Sequence, residues 1–426
     1  MGSANHRCRV QDRHHHLLGA SSPIQNPARI TENQSSKMPM HQGFLPREGL
    51  TADPIFRCIA RSALNPAVML PLLLLARYTK KGGDLAILHP TAFARVKFLA
   101  YCALTRWASS WLSRRVLNNW AADQYDWRRE IVLVTGGAGG IGGHVVQLLA
   151  ERGITVVVLD IQDLTFAAGS NVHYFKCDIT STEKVAAVAN DIRAKVGHPT
   201  VLINNAGVAR GKTVLDSTEH DIRFTFDVNT LSHYWTTKEF LPHMAKNNHG
   251  MIVTVASFAS YLCVPNMVDY GSSKAAAMAF HEGISAELKT RYNAPRVRTV
   301  LVNQGYTKTP LFTGYQQGVE FILPALEPET VAEAIAKQVL RGESGNIVLP
   351  AYGNTLTALR AFPHWYQNSL RAQSQKLMSN FSGRQVVNDV KGFYDKKGKG
   401  PEAEQERPEE STVLVAEPIP DRNGIE

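Results

Sequence analysis

The sequence is poor in cysteine, lacks paired ligand motifs and has no apolar run long enough to span a membrane comfortably. Its 426 residues hold five cysteines, Cys8, Cys58, Cys102, Cys177 and Cys263, all far apart and none in a CxxC pair. That spacing excludes a disulfide-stapled scaffold and a cysteine-rich zinc module, and it suits a reducing compartment. His14, His15 and His16 have no cysteine or carboxylate at ligand spacing, so no metal is expected. No apolar core follows the first residues, so no signal peptide is expected. The start Met1-Gly2-Ser3 would suit myristoylation, but His6 stands where Ser or Thr is needed.

A comfortable membrane span is also missing. The strongest apolar run is residues 62–76, SALNPAVMLPLLLLA. As a helix it covers only about 22 Å of a roughly 30 Å hydrocarbon core. Arg57 and Arg61 precede it, Arg77, Lys80 and Lys81 follow it, and Pro66 and Pro71 interrupt it. After the Gly82-Gly83 break, Phe93, Val96, Ala100, Ala103, Leu104, Trp107 and Trp111 recur every three or four residues. They stand beside Arg95, Lys97, Arg106, Arg114 and Arg115, the composition of an in-plane membrane anchor. The alternative is a helix packed on the protein's own core.

Acidic charge is scarce in one region only. The net charge is +9, yet residues 1–130 hold 18 Lys and Arg against 8 Asp and Glu, and the remainder holds 28 against 29. A nucleic-acid enzyme would carry its excess on the folded domain. The expected partner is therefore a membrane or lipid-droplet surface and no nucleic acid.

From residue 131 short β-branched runs alternate with helical patterns. The runs are 131–135, 154–160, 172–178, 201–204, 250–257, 297–303 and 346–350, with helices over 141–152, 181–196 and 328–341 among them. The expected fold is α/β, a doubly wound seven-stranded parallel sheet of Rossmann type. The expected organisation is a disordered basic N-terminus (1–53), membrane-associating apolar and amphipathic helices (54–130) and the Rossmann domain (131–352). Aromatic-rich helices (353–384) and a disordered charged tail (385–426) follow.

The first run leads into Gly136-Gly137-Ala138-Gly139-Gly140-Ile141-Gly142 and then a helix. Such glycines let a pyrophosphate approach the helix N-terminus, where free N–H groups and the dipole favour an anion. Asp160, twenty residues after Gly140, closes the second run. A carboxylate there accepts bonds from the adenosine ribose and repels a 2′-phosphate. No Lys or Arg lies in the glycine loop or at Ile161 and Gln162, so NAD(H) is favoured and NADP(H) stays open. Asn204-Asn205-Ala206-Gly207 closes the fourth run, and Ser257 ends the fifth. Tyr270 and Lys274 are spaced i and i+4, sharing one helix face, so the ammonium is expected near the phenol oxygen.

Together these residues resemble the short-chain dehydrogenase/reductase superfamily. The matching pieces are TGGAGGIG (135–142), Asp160, Asp178, NNAG (204–207), Asn229, Ser257 and YGSSK (270–274), and the resemblance covers residues 131–350, about half of the chain. The apolar N-terminal segment, the YDWRREIVLVTGG junction (125–137), PHWYQ (363–367) and FSGR (381–384) resemble the membrane-associated retinol dehydrogenase and 17-beta-hydroxysteroid dehydrogenase 11/13-like group. One departure stands out, since Gln304-Gly305 replaces the usual Pro-Gly and loses a fixed φ.

The resemblance implies an NAD(P)-dependent enzyme that interconverts a lipophilic alcohol and its aldehyde or ketone. Tyr270 would be the acid/base, its pKa brought from about 10 toward 7 by Lys274 and a positive nicotinamide. Lys274 would also hold the nicotinamide ribose, and Ser257 would bond the reacting oxygen. Asn229 would position a water, Asp178 would contact the adenine, and Thr307 and Thr309 would hold the carboxamide. The cofactor would further touch Gly136, Gly140, Ile141, Gly142, Asn205, Ala206 and Gly207. The resemblance also implies homodimers through the Tyr270 helix and a place on the cytosolic face of the endoplasmic reticulum or on lipid droplets. Two rivals are a catalytically silent lipid-surface scaffold and a soluble polyol or sugar dehydrogenase.

Overall fold

Strands form here where β-branched residues run without charge, because both faces of the sheet are covered. The computed structural model describes residues 40–381, apart from 42, 44, 317 and 379. The readings for residues 1–39, including the histidine run and the start signal, lie outside the described residues. So do those for 382–384 and for the tail.

Four helices come first: α1 (Ala52–Arg61), α2 (Pro66–Tyr78), α3 (Lys80–Leu88) and α4 (Pro90–Leu117). The alternating part then runs β1 (Ile131–Thr135), α5 (Gly140–Ala150), β2 (Thr155–Asp160), β3 (Val172–Lys176), α6 (Thr182–Lys195) and β4 (Val201–Asn204). It continues with α7 (Glu219–Phe226), α8 (Ser232–Asn247), β5 (Met251–Val255), α9 (Val268–Thr290), β6 (Arg298–Gln304), α10 (Pro328–Arg341) and β7 (Gly345–Leu349). Two short helices follow, α11 (Asn354–Thr357) and α12 (His364–Gln373).

The seven strands make one sheet in the order β3-β2-β1-β4-β5-β6-β7, every pairing parallel. Leu133, Val157, Leu202 and Ile252 meet Ile192 of α6, Phe240 and Met244 of α8, and Ile284 and Leu288 of α9. By the alternation of strand side chains, the opposite face is covered by α5 and α10, which pack on each other. The strand order reverses between β1 and β4, and there the covering helices diverge and leave a crevice.

The N-terminal helices differ from the sequence reading in two ways. Gly82 and Gly83 lie inside α3 and break nothing. The interruptions fall at Thr79, whose hydroxyl oxygen caps Gly82 N–H at 3.0 Å, and at His89 before Pro90. The seam of α4 is also narrower than expected. Val96, Leu99, Ala100 and Ala103 pack on Met69 and Leu73 of α2, while Trp107 and Trp111 stay exposed. Alanine lets the helices approach closely, and an indole would hold them apart. No single described helix is long and apolar enough to cross a membrane, but α1 and α2, bent by 43°, reach that length and composition together.

The described residues 47–53, expected to be loose, are held at several points. Arg47 pairs with Glu333 of α10 at 2.7 Å, Glu48 accepts from Glu327 N–H at 3.0 Å, and Ala52 N–H donates to the Phe321 carbonyl at 2.8 Å. These partners are distant in sequence, so local composition gave no sign of them. The far end of the helical layer is tied through buried Arg298, which donates to the carbonyls of Asn118 (3.0 Å) and Ala121 (2.7 Å). Arg298→Met keeps the packing stem but leaves those carbonyls unpaired. It is expected to cost about 2–4 kcal/mol of stability, measured by urea unfolding.

Candidate active site

The crevice is shaped first by glycine. Gly136 has a φ of +65°, and a Cβ there would lie 2.7 Å from Ala206 Cα. A Cβ on Gly142 would lie 2.2 Å from the Gly136 carbonyl oxygen and 2.5 Å from Asn205 Nδ2. The glycines therefore let β1 and β4 meet and turn the first N–H groups of α5 toward the crevice. Thr135 Oγ1 accepts from the N–H groups of Asn205 (3.0 Å) and Ala206 (3.2 Å). The Asn205 side-chain amide donates in return to the carbonyls of Thr135 and Gly136.

Asp160 at the end of β2 accepts from Ala138 N–H at 2.9 Å and from Gln162 N–H at 3.0 Å. Burial raises its carboxyl above the usual range, and these backbone bonds oppose that. Asp178 accepts from the Thr180 N–H and hydroxyl and pairs with Lys184 at 3.3 Å. Across the crevice, Thr309 Cγ2 stands 4.0 Å from where a Cβ on Gly140 would be. Thr307 is buried beside Leu326 in an isolated parallel bridge.

Ser257 does not end β5, which stops at Val255; it caps the short turn Phe258–Ser260. Its hydroxyl donates to the Gln304 carbonyl at 3.4 Å, and it is the one group here that favours the Tyr270 phenolate. Tyr270 and Lys274 sit in the first turns of α9, both buried. Lys274 Nζ donates to the Val255 carbonyl at 2.9 Å and lies 5.9 Å from the centre of the Tyr270 ring. The expected lowering of the phenol is absent from this arrangement. Burial pushes Tyr270 up to about 12, with only Ser257 opposing, and pulls Lys274 down to about 8. Desolvation penalises the charged form of each group, so the low-dielectric site works against phenolate and ammonium alike.

Asn229 lies in a π-helical turn, Asp227–Leu231, between α7 and α8. Its Oδ1 accepts from Val208 N–H at 2.8 Å, while Nδ2 donates to the Val208 carbonyl (2.9 Å) and Ser273 Oγ (3.0 Å). The expected water-holding part thus finds the side-chain amide already engaged in joining the β4 loop to α9. A cavity of about 860 Å³ contains in its wall every expected site residue except Gly142 and Asn229. Gly142 is turned inward against Gly136, and Asn229 lies behind Gly207.

Sequence reasoning missed the rest of this cavity. Beyond Ser257 and Tyr270 it is walled by Leu262, Val264, Met267, Phe312, Leu356 and Leu370. Only the aromatic content of the C-terminal segment hinted at them. It also missed His233, buried near Lys274, and His281, buried against Thr254; burial pulls them down to about 3 and about 4. Among the described residues no group of three or more His, Cys, Asp or Glu is placed to hold a metal ion.

A glycine-lined crevice at the switch point of a doubly wound sheet, with titratable groups at its floor, defines the Rossmann oxidoreductases. A family model for short chain dehydrogenase matches residues 130–320. Dehydrogenase RED2 of Cochliobolus heterostrophus is 50% identical over 46% of this chain and 74% of its own length. Epidermal retinol dehydrogenase 2 of Homo sapiens is 32% identical over 63% of this chain and 87% of its own. Estradiol 17-beta-dehydrogenase 11 of Rattus norvegicus is 36% identical over 57% and 83%. The chain belongs to the short-chain dehydrogenase/reductase family, in the group with those retinol and estradiol dehydrogenases. It is an NAD(P)-dependent oxidoreductase acting on CH–OH groups. The glycine cradle suits that cofactor, since a Cβ on Gly136 would close the crevice's floor.

The two buried imidazoles tie stability to pH. Unfolded, each binds a proton below about 6.5; folded, His281 and His233 resist until about 4 and about 3. The unfolded state therefore holds more protons across that window, and stability is expected to fall as pH drops through it. His233→Leu should make the loss shallower, read as urea unfolding free energy at several values between pH 4 and pH 7. An unchanged slope would show that His233 takes no part in it.

Proposed function

We propose that the protein interconverts a lipophilic alcohol and its aldehyde or ketone at a membrane or lipid-droplet surface, with NAD(H) as the preferred cofactor. The observation that carries this reading is the apolar room beyond Ser257 and Tyr270, walled by Leu262, Val264, Met267, Phe312, Leu356 and Leu370. A polyol would leave its hydroxyls unpaired there, at a cost of roughly 1–3 kcal/mol each. The kinship with a retinol dehydrogenase and an estradiol dehydrogenase supports the same substrate class.

When bound, NAD(P) supplies or takes up the hydride and, oxidised, brings a positive ring. The proton belongs to the chain's own residues. Ser257 Oγ donates a hydrogen bond to the reacting oxygen and holds it against Tyr270, whose phenol gives or takes the proton at Oη. At rest the raised Tyr270 is a protonated donor. Lys274 then offsets the charge that forms on the phenolate. Asp160 supports the choice of NAD(H): its oxygens keep lone pairs for ribose hydroxyls beyond the two backbone bonds, and a 2′-phosphate would meet an anion.

The location rests on α1–α4, where Leu70, Leu72, Leu74, Leu75, Trp107 and Trp111 are exposed. Between residues 54 and 122 Asp84 is the only acidic side chain, against ten Lys and Arg. That combination suits monotopic attachment at the endoplasmic reticulum or a droplet, facing cytosol. Exposed Leu231 and Tyr234 beside α9 support a homodimer.

The test is a panel of long-chain alcohols, retinol, steroids and polyols, offered with both cofactors to the full chain in lipid vesicles. Lipophilic alcohols are expected to turn over with the higher kcat/KM in NAD⁺. Asp160→Ala should narrow or invert that preference. Tyr270→Phe should still bind NAD(H) but lose at least about 100-fold in turnover, as for a general acid/base. Near-wild-type activity in Tyr270→Phe would sink the mechanism. Cofactor binding without turnover would mark a lipid-surface scaffold, and preference for polyols a soluble dehydrogenase.

A further inference from the structure

We propose that the C-terminal segment around α12 is a second lipid-contact surface, at the rim of the substrate cavity, and that its partner is an anionic phospholipid surface. The inference rests on the lipid-surface reading above and extends it to a part of the chain outside the N-terminal helices. Its first support is charge. From Ala351 to Phe381 there is no acidic residue, while Arg360, His364, Arg371 and Lys376 are present. A protein partner would ordinarily meet mixed charge; an anionic lipid surface prefers one sign.

The second support is the aromatic cluster beside Arg360 and Arg371. Phe362, Trp365 and Tyr366 are all exposed, Trp365 at 74%. Tyr366 packs on both neighbours, with ring centres 5.4 Å from Phe362 and 5.9 Å from Trp365. The turn that presents them is locked from behind, since the Gln367 amide donates to the carbonyls of Arg360 (3.3 Å) and Phe362 (2.7 Å). Three exposed rings held together in water are costly, whereas Trp and Tyr settle readily at a lipid–water boundary.

The third support is continuity with both the cavity and the N-terminal helices. Leu370 follows Tyr366 by one helical turn and lines the cavity, as does Leu356 of α11. The carboxylate of Asp53, in the first turn of α1, accepts from the N–H groups of Ala351 (2.7 Å) and Tyr352 (3.2 Å). Phe56 of α1 stacks on Tyr352, with ring centres 5.9 Å apart. The apolar helices and the aromatic rim are thus bolted side by side, and a molecule leaving the lipid between them meets Leu356 and Leu370 first.

The experiment uses the full chain and vesicles of phosphatidylcholine and phosphatidylserine carrying brominated acyl chains. Tryptophan emission of the wild type is compared with that of Trp365→Phe. The difference between the two, which is Trp365's own emission, is expected to be quenched at least as strongly as the remainder. A Trp365 contribution untouched by bromine while the other tryptophans are quenched overturns the proposal, and so does the absence of any quenching. Because this readout needs no turnover, a chain inactive on alcohols but quenched at Trp365 sinks the substrate reading alone. A second variant replaces the rings outright: Phe362→Ser, Trp365→Ser and Tyr366→Ser together. Its KM for an alcohol dissolved in the vesicles should rise roughly threefold or more, with the KM for NAD(H) unchanged. Equal changes in both constants, or in neither, count against the rim.

Discussion

Everything in the crevice depends on how closely β1 and β4 approach at their carboxyl ends. Gly136 and Ala206 lie so near that a Cβ on Gly136 would stand 2.7 Å from Ala206 Cα. Thr135 and Asn205 bind each other's backbone across the same gap. The contact reaches further than the nucleotide loop. A Cβ on Gly207, one residue past Ala206, would stand 3.3 Å from Asn229 Oδ1 and 3.4 Å from Lys274 Nζ. Widening the β1–β4 gap would therefore move the β4 loop into the lysine. The loop that receives the dinucleotide and the helix that carries Tyr270 are set by one steric constraint.

The second organising feature is the dryness of the floor. Lys274 finds one carbonyl, that of Val255, and the imidazole of His233 beside it is held neutral, as is that of His281. The same desolvation that raises Tyr270 to about 12 also strengthens any charge brought near it. A cation a few ångströms away is worth roughly 1 kcal/mol in water and about 4 kcal/mol at an effective dielectric of 20. Burial thus makes the phenol a poor base by itself and a responsive one when a positive charge arrives. Ser257 is the only opposing influence already in place.

Local pattern made much of this legible. The β-branched runs found the strands because a parallel sheet covered on both faces needs unbroken apolar stretches. The glycine loop, Asp160 and the Tyr270–Lys274 spacing stood out because each is a backbone requirement or an i, i+4 relation within a few residues. What escaped were features set by side-chain partners that residue type and motif alone do not show. Gly82-Gly83 read as a break because glycine is a weak helix former, yet Thr79 caps the turn and the helix continues. Asn229 read as a water-holder from its motif, and only the packed structure shows its amide spent on Val208 and Ser273. The cavity wall joins residues from 136 to 377, which no window along the chain could collect.

The helical layer is joined to the sheet at both of its ends, and that decides how it can act. At the start, Ala52 binds Phe321 and Asp53 binds Ala351 and Tyr352; at the finish, Arg298 binds Asn118 and Ala121. Residues 54–117 are therefore a closed excursion, clamped at two points and not a tether. A tether would let the catalytic domain turn freely over a surface. On the lipid-surface proposal, a clamped layer would fix which side of the domain faces the lipid, and here the first clamp grips the segments carrying Leu323 and Pro324 on one side and Pro350 on the other, all in the cavity wall. Any force on α1 is thus delivered to both sides of the apolar room at once, while the cofactor's glycine loop, on β1, is reached by neither bond.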